Sequence, residues 1–269
     1  MKQLVRRAIA AYDQFWFQSC DPRYCSVMRI ACGLLLLVFV GIWWLDAELW
    51  FSAEGVLQAD SAHRIARGQH WSILFYLPDN LQFVSVCLGV MWLQSLLLLL
   101  GVASRFQALS LFIWITSFQN RNPLITDGED MVLRFWLFFM MLMPLDYCWS
   151  GGRWLWNRRR GNSAQPASQS SESAVAWSGI ASAWGLRLVQ LEVTAIYLST
   201  AWSKWQGETW RDGSALFYVS RMDDVFGRLW LPETLFVTDW MLRLSTWSVL
   251  GVETLLPLLL WLPYTRRLG

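Results

Sequence analysis

The run from residue 81 to residue 104 contains no charged side chain and includes five consecutive leucines, at positions 96–100. Lipid offers no hydrogen-bond partner for a backbone amide, so a segment that crosses a bilayer has to satisfy its own amides, as a helix does. About 20 apolar residues are enough to cross the hydrocarbon core. The run therefore predicts a transmembrane helix.

Five further segments have a similar apolar character, and the composition of the whole chain agrees with them. Of its 269 residues 55% are hydrophobic and only 16% are charged, whereas a soluble domain has about 25% charged residues. The sequence predicts an all-α fold, a polytopic membrane helical bundle of about six transmembrane helices. The other five predicted spans are 27–45, 106–120, 131–149, 186–205 and 244–264. Arg29, near the start of one of them, is expected to extend its side chain to the membrane interface.

The distribution of basic residues indicates how the chain is oriented. Lys and Arg are most frequent near both termini and in residues 150–184, and basic residues are retained on the cytoplasmic side of a membrane. We expect both termini to be cytoplasmic and the membrane to be a bacterial inner membrane. The net charge of +2 gives no basic surface of the kind that nucleic acid requires, so the expected partner is the lipid bilayer.

Four regions follow from these patterns. The Ser-rich stretch after residue 150 cannot bury a core and is expected to be flexible. The two long outer segments, 46–80 and 206–243, contain aromatic runs that predict amphipathic helices on the outer face. The predicted regions are a cytoplasmic amphipathic N-terminus (1–25), a four-helix membrane part (26–149), a flexible cytoplasmic linker (150–184) and a two-helix membrane part (185–269).

The fifth predicted span has a stripe of polar and small residues along one face. The stripe follows helical spacing and consists of Gln190, Thr194, Tyr197, Ala201 and Lys204. Two interpretations of Lys204 are open: its amine acts as a base after loss of solvent, or the side chain extends to the outer interface among tryptophans.

Two glutamates also fall inside predicted spans. Glu192 lies on a different face of the fifth span, and Glu253 lies in the middle of the sixth. A carboxylate costs several kcal/mol at the bilayer centre unless it is paired or protonated. We expect Glu253 to pair with Arg187, Arg243 or a hydroxyl, in a role that is either structural or functional.

The loop after the third span is rich in polar residues. Arg121 and Asn122 precede Pro123, and a cluster of carboxylates follows: Asp127, Glu129 and Asp130. The cluster either orders a site or is a solvated acidic loop. His63 and His70 have no third ligand nearby in the sequence, so no metal site is predicted.

Two stretches of the sequence stand out together. The first block is Ser117-Phe118-Gln119-Asn120-Arg121-Asn122-Pro123-Leu124, followed by Asp127-Gly128-Glu129-Asp130 and Met143-Pro144-Leu145. The second block is Tyr197-Leu198-Ser199-Thr200-Ala201-Trp202-Ser203-Lys204-Trp205, followed by Trp210-Arg211-Asp212-Gly213-Ser214-Ala215-Leu216. Together they resemble the horizontally transferred transmembrane (HTTM) family, whose domain occurs in vitamin K-dependent gamma-carboxylases and in sporulation-delaying protein B.

The resemblance implies a membrane quinol, similar to vitamin K, as the cofactor and Lys204 as the base that deprotonates it. It also implies a pocket between helices that opens to the outer leaflet. The expected pocket residues are Thr194, Tyr197, Arg121, Asn122, Asp127, Glu129, Asp130, Trp210, Asp212 and Gly213.

The family's carboxylases differ from this chain in two places. They have a histidine where this loop has Asp127 to Glu129, and they continue into a large lumenal domain beyond the position of Gly269. We therefore expect a carboxylase-like or quinol-dependent enzyme and no true peptide carboxylation. The alternative is a non-enzymatic membrane module that assists the maturation or export of an outer-facing polypeptide or redox partner.

Overall fold

The computed structural model describes residues 2–18, 21–52, 55–66, 71–78, 80–159, 184–222 and 238–262. Within these ranges the regular elements are all helices, and no strand occurs. The all-α fold that the sequence predicts is therefore confirmed. The structure divides into two compact units, Met1–Arg187 and Leu188–Gly269.

The described helices of the first unit account for most of its residues. They are α1 (Lys2–Phe17), α2 (Pro22–Leu45), α3 (Ala47–Phe51), α4 (Ala59–Ala66), α5 (Leu81–Leu100), α6 (Ser104–Arg121), α7 (Gly128–Met140) and α8 (Gly151–Arg159), with 3₁₀ turns at Ile73–Tyr76 and Pro123–Ile125. The short α3, α4 and first 3₁₀ turn occupy the outer segment in which the sequence predicts amphipathic helices.

Helices α2 and α5 run antiparallel and form the centre of the first unit. Early residues of α2 pack on late residues of α5: a Cβ on Gly33 would lie 2.8 Å from the Cα of Leu99. Farther along, a Cβ on Gly89 would lie 3.1 Å from the ring of Trp44. Gly33 lets the two backbones approach closely, as small residues in membrane helices commonly do, and Gly89 leaves room for the ring of Trp44.

Arg29, which the sequence predicts to extend to the membrane interface, is completely buried within the protein. Its Nη1 donates to the carbonyls of Leu98 (2.9 Å) and Leu99 (2.6 Å), and Nη2 donates to the carbonyl of Trp149 (2.9 Å). The last carbonyls of a helix have no partner inside the helix, so Arg29 satisfies the end of α5 from a neighbouring helix.

The helix predicted over 131–149 ends at Met140, and α7 has 13 residues. At 1.5 Å per residue it is about 20 Å long, shorter than the hydrocarbon core of about 30 Å. Pro144 explains the early end, because proline has no amide hydrogen and disfavours helical geometry at the preceding residue.

Part of the predicted flexible linker is helical. Residues 151–159 form α8, which is attached to the loop after α5 by a hydrogen bond from Gly152 N to Gly101 O (3.2 Å). The Ser-rich residues 160–183 lie outside the described residues. The four predicted regions stay a prediction, although the boundary between the compact units at residue 187 lies close to the predicted one at 185.

The second unit contains most of α9 (Trp184–Gln206), two short helices, α10 (Glu208–Arg211) and α11 (Ala215–Val219), and the long α12 (Asp239–Trp261). Residues 223–237 of the second predicted outer segment lie outside the described residues. Side chains of α9 reach α12 in antiparallel order, since Thr194 bonds with Trp261 and Trp205 with Thr254.

Helices α2, α5 and α12 are long and apolar enough to span a bilayer. Only 39%, 33% and 17% of their most apolar windows are buried inside the structure, so most of their surface is left to an apolar surrounding. This fits an integral membrane protein. Helices α6 and α9 are long enough but do not meet the same test of composition, and the count of about six spans stays a prediction.

Candidate functional site

The predicted site residues fall into two groups, one in each compact unit. Lys204, Tyr197, Thr194, Glu192, Glu253, Trp210, Asp212 and Gly213 belong to the second unit, and Arg121, Asn122, Asp127, Glu129 and Asp130 belong to the first. Each group is described by itself.

Lys204 and Glu253 form an ion pair between α9 and α12. The Nζ of Lys204 contacts the Oε1 of Glu253, and the two side chains are 25% and 16% exposed. The expectation that Glu253 pairs with Arg187, Arg243 or a hydroxyl is therefore wrong. Its partner is Lys204, because the antiparallel helices bring the C-terminal end of α9 to the level of the middle of α12.

Trp210 covers the ammonium group of Lys204. The Nζ lies 4.6 Å from the centroid of the indole ring, where the electron-rich face of the ring attracts a cation. Lys204 therefore has a carboxylate and an aromatic face as neighbours and remains partly accessible. The simple interpretation, a lysine extended into the interface among tryptophans, does not include this pairing with a carboxylate.

The stripe that the sequence predicts on α9 is the face that meets α12. Gln190 Nε2 donates to the carbonyl of Leu260, and the Oγ1 of Thr194 accepts from the Nε1 of Trp261 at 3.0 Å. Ala201 is 3% exposed. Polar side chains thus hold these two helices together at several levels, and Lys204 forms the contact at the C-terminal end of α9.

The turn after Trp210 is held by its own side chains. The carboxylate of Asp212 accepts from the backbone N of Ser214 (2.8 Å) and from its hydroxyl (2.6 Å). These two bonds, together with the charge of Arg243, lower the pKa of Asp212. Gly213 has a φ of +85°, and a Cβ there would lie 2.7 Å from the Cγ of Arg243. The turn therefore packs directly on α12.

Glu192 lies elsewhere on α9 from the ion pair, as the sequence predicts. Both of its carboxylate oxygens are shielded from solvent and have no hydrogen-bond partner among the described residues. The Oε2 of Glu253 is likewise shielded from solvent and has no hydrogen-bond partner among the described residues. A buried polar atom without a hydrogen-bond partner is costly, which sets these three oxygens apart from the paired Oε1 of Glu253.

Arg121 and Asn122 hold the outer segment of the first unit in place. Arg121 Nη1 donates to the carbonyl of Leu57 and Asn122 Nδ2 to the carbonyl of Trp50, both at 2.9 Å. Two neighbours also bond to backbone groups: Asn120 Nδ2 donates to Trp71 O (2.7 Å), and Ser117 Oγ accepts from Ile73 N (3.3 Å). Four polar residues at the end of α6 thus anchor backbone groups of Trp50, Leu57, Trp71 and Ile73.

The acidic residues of the loop have different surroundings. Asp127 and Asp130 form a capping box at the start of α7, in which Asp127 N donates to Asp130 Oδ2 at 2.8 Å. Glu129 lies in the exposed first turn of the same helix, where a negative charge is favoured by the helix dipole. The start of α7 therefore explains why three carboxylates occur together in this loop.

Sequence reasoning missed two residues of this region. Ser72 is fully buried and its Oγ donates to the carbonyl of Ser117 at 2.7 Å. Gln119 is 1% exposed, and neither its Oε1 nor its Nε2 has a partner among the described residues. The only signal in the sequence was the position of Gln119 inside a polar block at the end of an apolar run.

No group of three or more potential metal ligands is found among the described residues. His63 packs against the ring of Phe75 at 4.9 Å between centroids, and His70 lies outside the described residues. No protein-family model, no curated protein and no solved structure matches the chain significantly. The resemblance to the HTTM family therefore stays a prediction.

Proposed function

We propose that this chain is an integral membrane protein of the HTTM type that binds the hydroxyl of a membrane quinol at Lys204 and accepts its proton there. The observation that carries the proposal is the pairing of Lys204 with Glu253 beneath the ring of Trp210. An ionisable residue in an apolar helical segment is by default a candidate for function.

The pair supplies the means by which a lysine acts as a base. A lysine that holds its own proton cannot accept another, and Glu253 is an acceptor in direct contact with Lys204. Once the proton has moved to Glu253, Lys204 has a neutral amine. That amine accepts the proton of a bound hydroxyl, so that the pair as a whole gains one proton.

The surroundings of the pair fit a quinol. The ring of a quinol is flat and apolar, and a bound quinol supplies an acidic hydroxyl and two electrons. Trp202 and Trp205 are largely exposed on α9 next to Lys204, and flat aromatic surfaces stack well with other aromatic rings. A long apolar tail is compatible with the exposed apolar side chains of α12, including Leu255, Leu258 and Leu259.

Lys204 is one of two lysines in the chain, which provides a matched control. The full chain in lipid nanodiscs is titrated with menadiol, a reduced naphthoquinone, and tryptophan fluorescence reports the dissociation constant. We expect Lys204→Met to weaken binding at least about tenfold, or 1.4 kcal/mol, and Lys2→Met to leave it unchanged. Equal affinity of wild type and Lys204→Met for menadiol would reject the proposal.

Lys204→Arg separates this function from the alternative of a non-enzymatic module. Arginine keeps the positive charge and the pairing with Glu253 but is not deprotonated in proteins. A quinol-dependent enzyme is expected to lose its turnover in this variant. A module that assists an outer-facing polypeptide is expected to retain its partner in native membranes after the same change, as measured by crosslinking and copurification.

A further inference from the structure

A pocket of about 400 Å³ lies beside the C-terminal end of α5 in the first unit. Gly101 and Gly152, with Asp146, Tyr147, Arg153 and Trp156, contribute to its lining. Gly101 directly follows α5, one of the three helices that are apolar enough to cross a membrane. The pocket is therefore at the level where that helix leaves the hydrocarbon for the headgroups.

The pocket has a fixed wall on the side of α8. Ser150 Oγ and Gly152 N both donate to the carbonyl of Gly101, at 2.7 and 3.2 Å. Gly101 has a φ of +73°, and a Cβ there would lie 2.5 Å from a guanidinium nitrogen of Arg29. The start of α8 is thus attached to the end of α5, and its first turn presents Gly152 and Arg153 to the pocket.

Two charged residues, Asp146 and Arg153, line the pocket, and they differ in whether their charge is compensated. Asp146 accepts from the backbone N of Ser104 at 3.1 Å and from its hydroxyl, and it lies near the buried guanidinium of Arg29. Its charge is therefore compensated within the protein. Arg153 is exposed and held over the ring of Tyr147 (5.4 Å), with Nη1 donating to the carbonyl of Tyr147 (2.9 Å). Arg153 has no acidic partner among the described residues.

Exposed tryptophans surround this cation. Trp149, Trp154 and Trp156 are each more than half exposed and lie immediately before or in α8. Tryptophan is enriched at the level of lipid headgroups because its ring is apolar and its N–H is polar. A helix with arginines and tryptophans therefore fits a position in the headgroup region.

From these observations we propose that the pocket binds the phosphate headgroup of an anionic phospholipid. Arg153 would donate to the phosphate oxygens, because guanidinium groups recognise phosphate through paired N–H donors. Basic pockets beside transmembrane helices bind anionic lipid headgroups in this way. The proposal does not depend on the function of Lys204.

The test compares the full chain in nanodiscs of phosphatidylcholine with nanodiscs that contain about 30% phosphatidylglycerol, a composition that gives a strongly anionic surface. The melting temperature is measured in both, and native mass spectrometry counts retained phosphatidylglycerol. We expect the wild type to melt higher with phosphatidylglycerol. Arg153→Gln should lose at least half of that rise while melting like wild type in phosphatidylcholine.

Two variants distinguish a pocket from a merely basic surface. Arg158→Gln removes the same charge from the same helix, but Arg158 stacks on Trp154 and does not line the pocket, so the rise should be kept. Arg153→Lys keeps the charge but loses the paired donors, so the rise should be reduced.

Three results would overturn the proposal. The first is the absence of any rise in the wild type. The second is an equal loss in Arg158→Gln and Arg153→Gln, which would indicate diffuse attraction to the membrane. The third is an equal rise when inorganic phosphate is added to phosphatidylcholine nanodiscs, which would indicate a site for a free anion.

Discussion

Lys204 and Arg29 both bond to partners that are distant in sequence. Helical spacing correctly placed Lys204 on the face of α9 that meets α12, because that spacing is a local property. The same reasoning could not identify Glu253 as its partner, which lies 49 residues further along the chain. The acceptors of Arg29 were missed for the same reason, because Leu98 and Leu99 are about 70 residues away.

Gly213 gives a prediction about backbone strain. We expect Gly213→Ala to lower stability by about 1–3 kcal/mol, since alanine is strained at a φ of +85° and its Cβ would collide with Arg243. Gly251→Ala is the matched control in α12, where a Cβ meets nothing within 4 Å, and should raise stability by about 0.5–1 kcal/mol. Melting temperatures in detergent measure both, and a fall for both variants would contradict the explanation.

Asp212 gives a prediction about pH. Bonds from Ser214 lower its pKa in the folded state, so its ionised form stabilises the fold above the unfolded pKa of about 3.9. That stabilisation is lost as the pH falls through the lower, folded pKa. The melting temperature of wild type should exceed that of Asp212→Asn by a constant amount above about pH 5, and the difference should shrink below pH 4. A difference that grows with acidification would have the wrong sign.

At the scale of elements, the sequence predicts where helices lie better than where they end. The predicted run 81–104 corresponds to α5 at Leu81–Leu100, and 106–120 corresponds to α6 at Ser104–Arg121. The end of α7 was missed because apolar residues continue beyond Met140 although Pro144 cannot continue the helix. Hydropathy records composition alone, whereas helix ends depend on caps and prolines.

The polar block at the end of α6 shows a related limit for the candidate site. The sequence singled out Arg121 and Asn122 for a pocket, and the structure gives both of them backbone carbonyls of the outer segment as partners. These acceptors, Leu57 and Trp50, are about 64 and 72 residues away in the sequence. Contacts over such distances depend on the tertiary fold, and local sequence patterns do not identify them.

The end of α5 gives a prediction at the element scale. Replacing Arg29 with Met removes three hydrogen bonds from a charged donor to backbone carbonyls, one of them fully buried, and should destabilise the first unit by about 3 kcal/mol, because bonds to charged groups contribute more than neutral ones. Arg23→Met changes an exposed arginine of the same helix and should stay within about 0.5 kcal/mol of wild type. Chemical unfolding in mixed micelles measures both, and similar losses would show that Arg29 does not cap α5.

At the scale of the whole molecule, the exposed apolar surface of α2, α5 and α12 is compatible with a lipid surrounding. We expect the protein to stay in the pellet when membranes are washed with alkaline carbonate and to need detergent for release. Tags at the two termini should both become accessible to a membrane-impermeant reagent only after permeabilisation, as cytoplasmic ends would. Release by carbonate, or tags on opposite sides, would contradict the predicted topology.

The distance in sequence between Lys204 and Glu253 has a consequence for biosynthesis. Ribosomes add about 5–20 residues per second, so the 49 residues between them take about 2–10 s to make. During that interval the newly made α9 carries an ammonium group whose carboxylate does not yet exist. On the predicted topology, the insertion machinery would retain α9 until α12 emerges, and the two helices would then enter the lipid together with the charges of Lys204 and Glu253 paired.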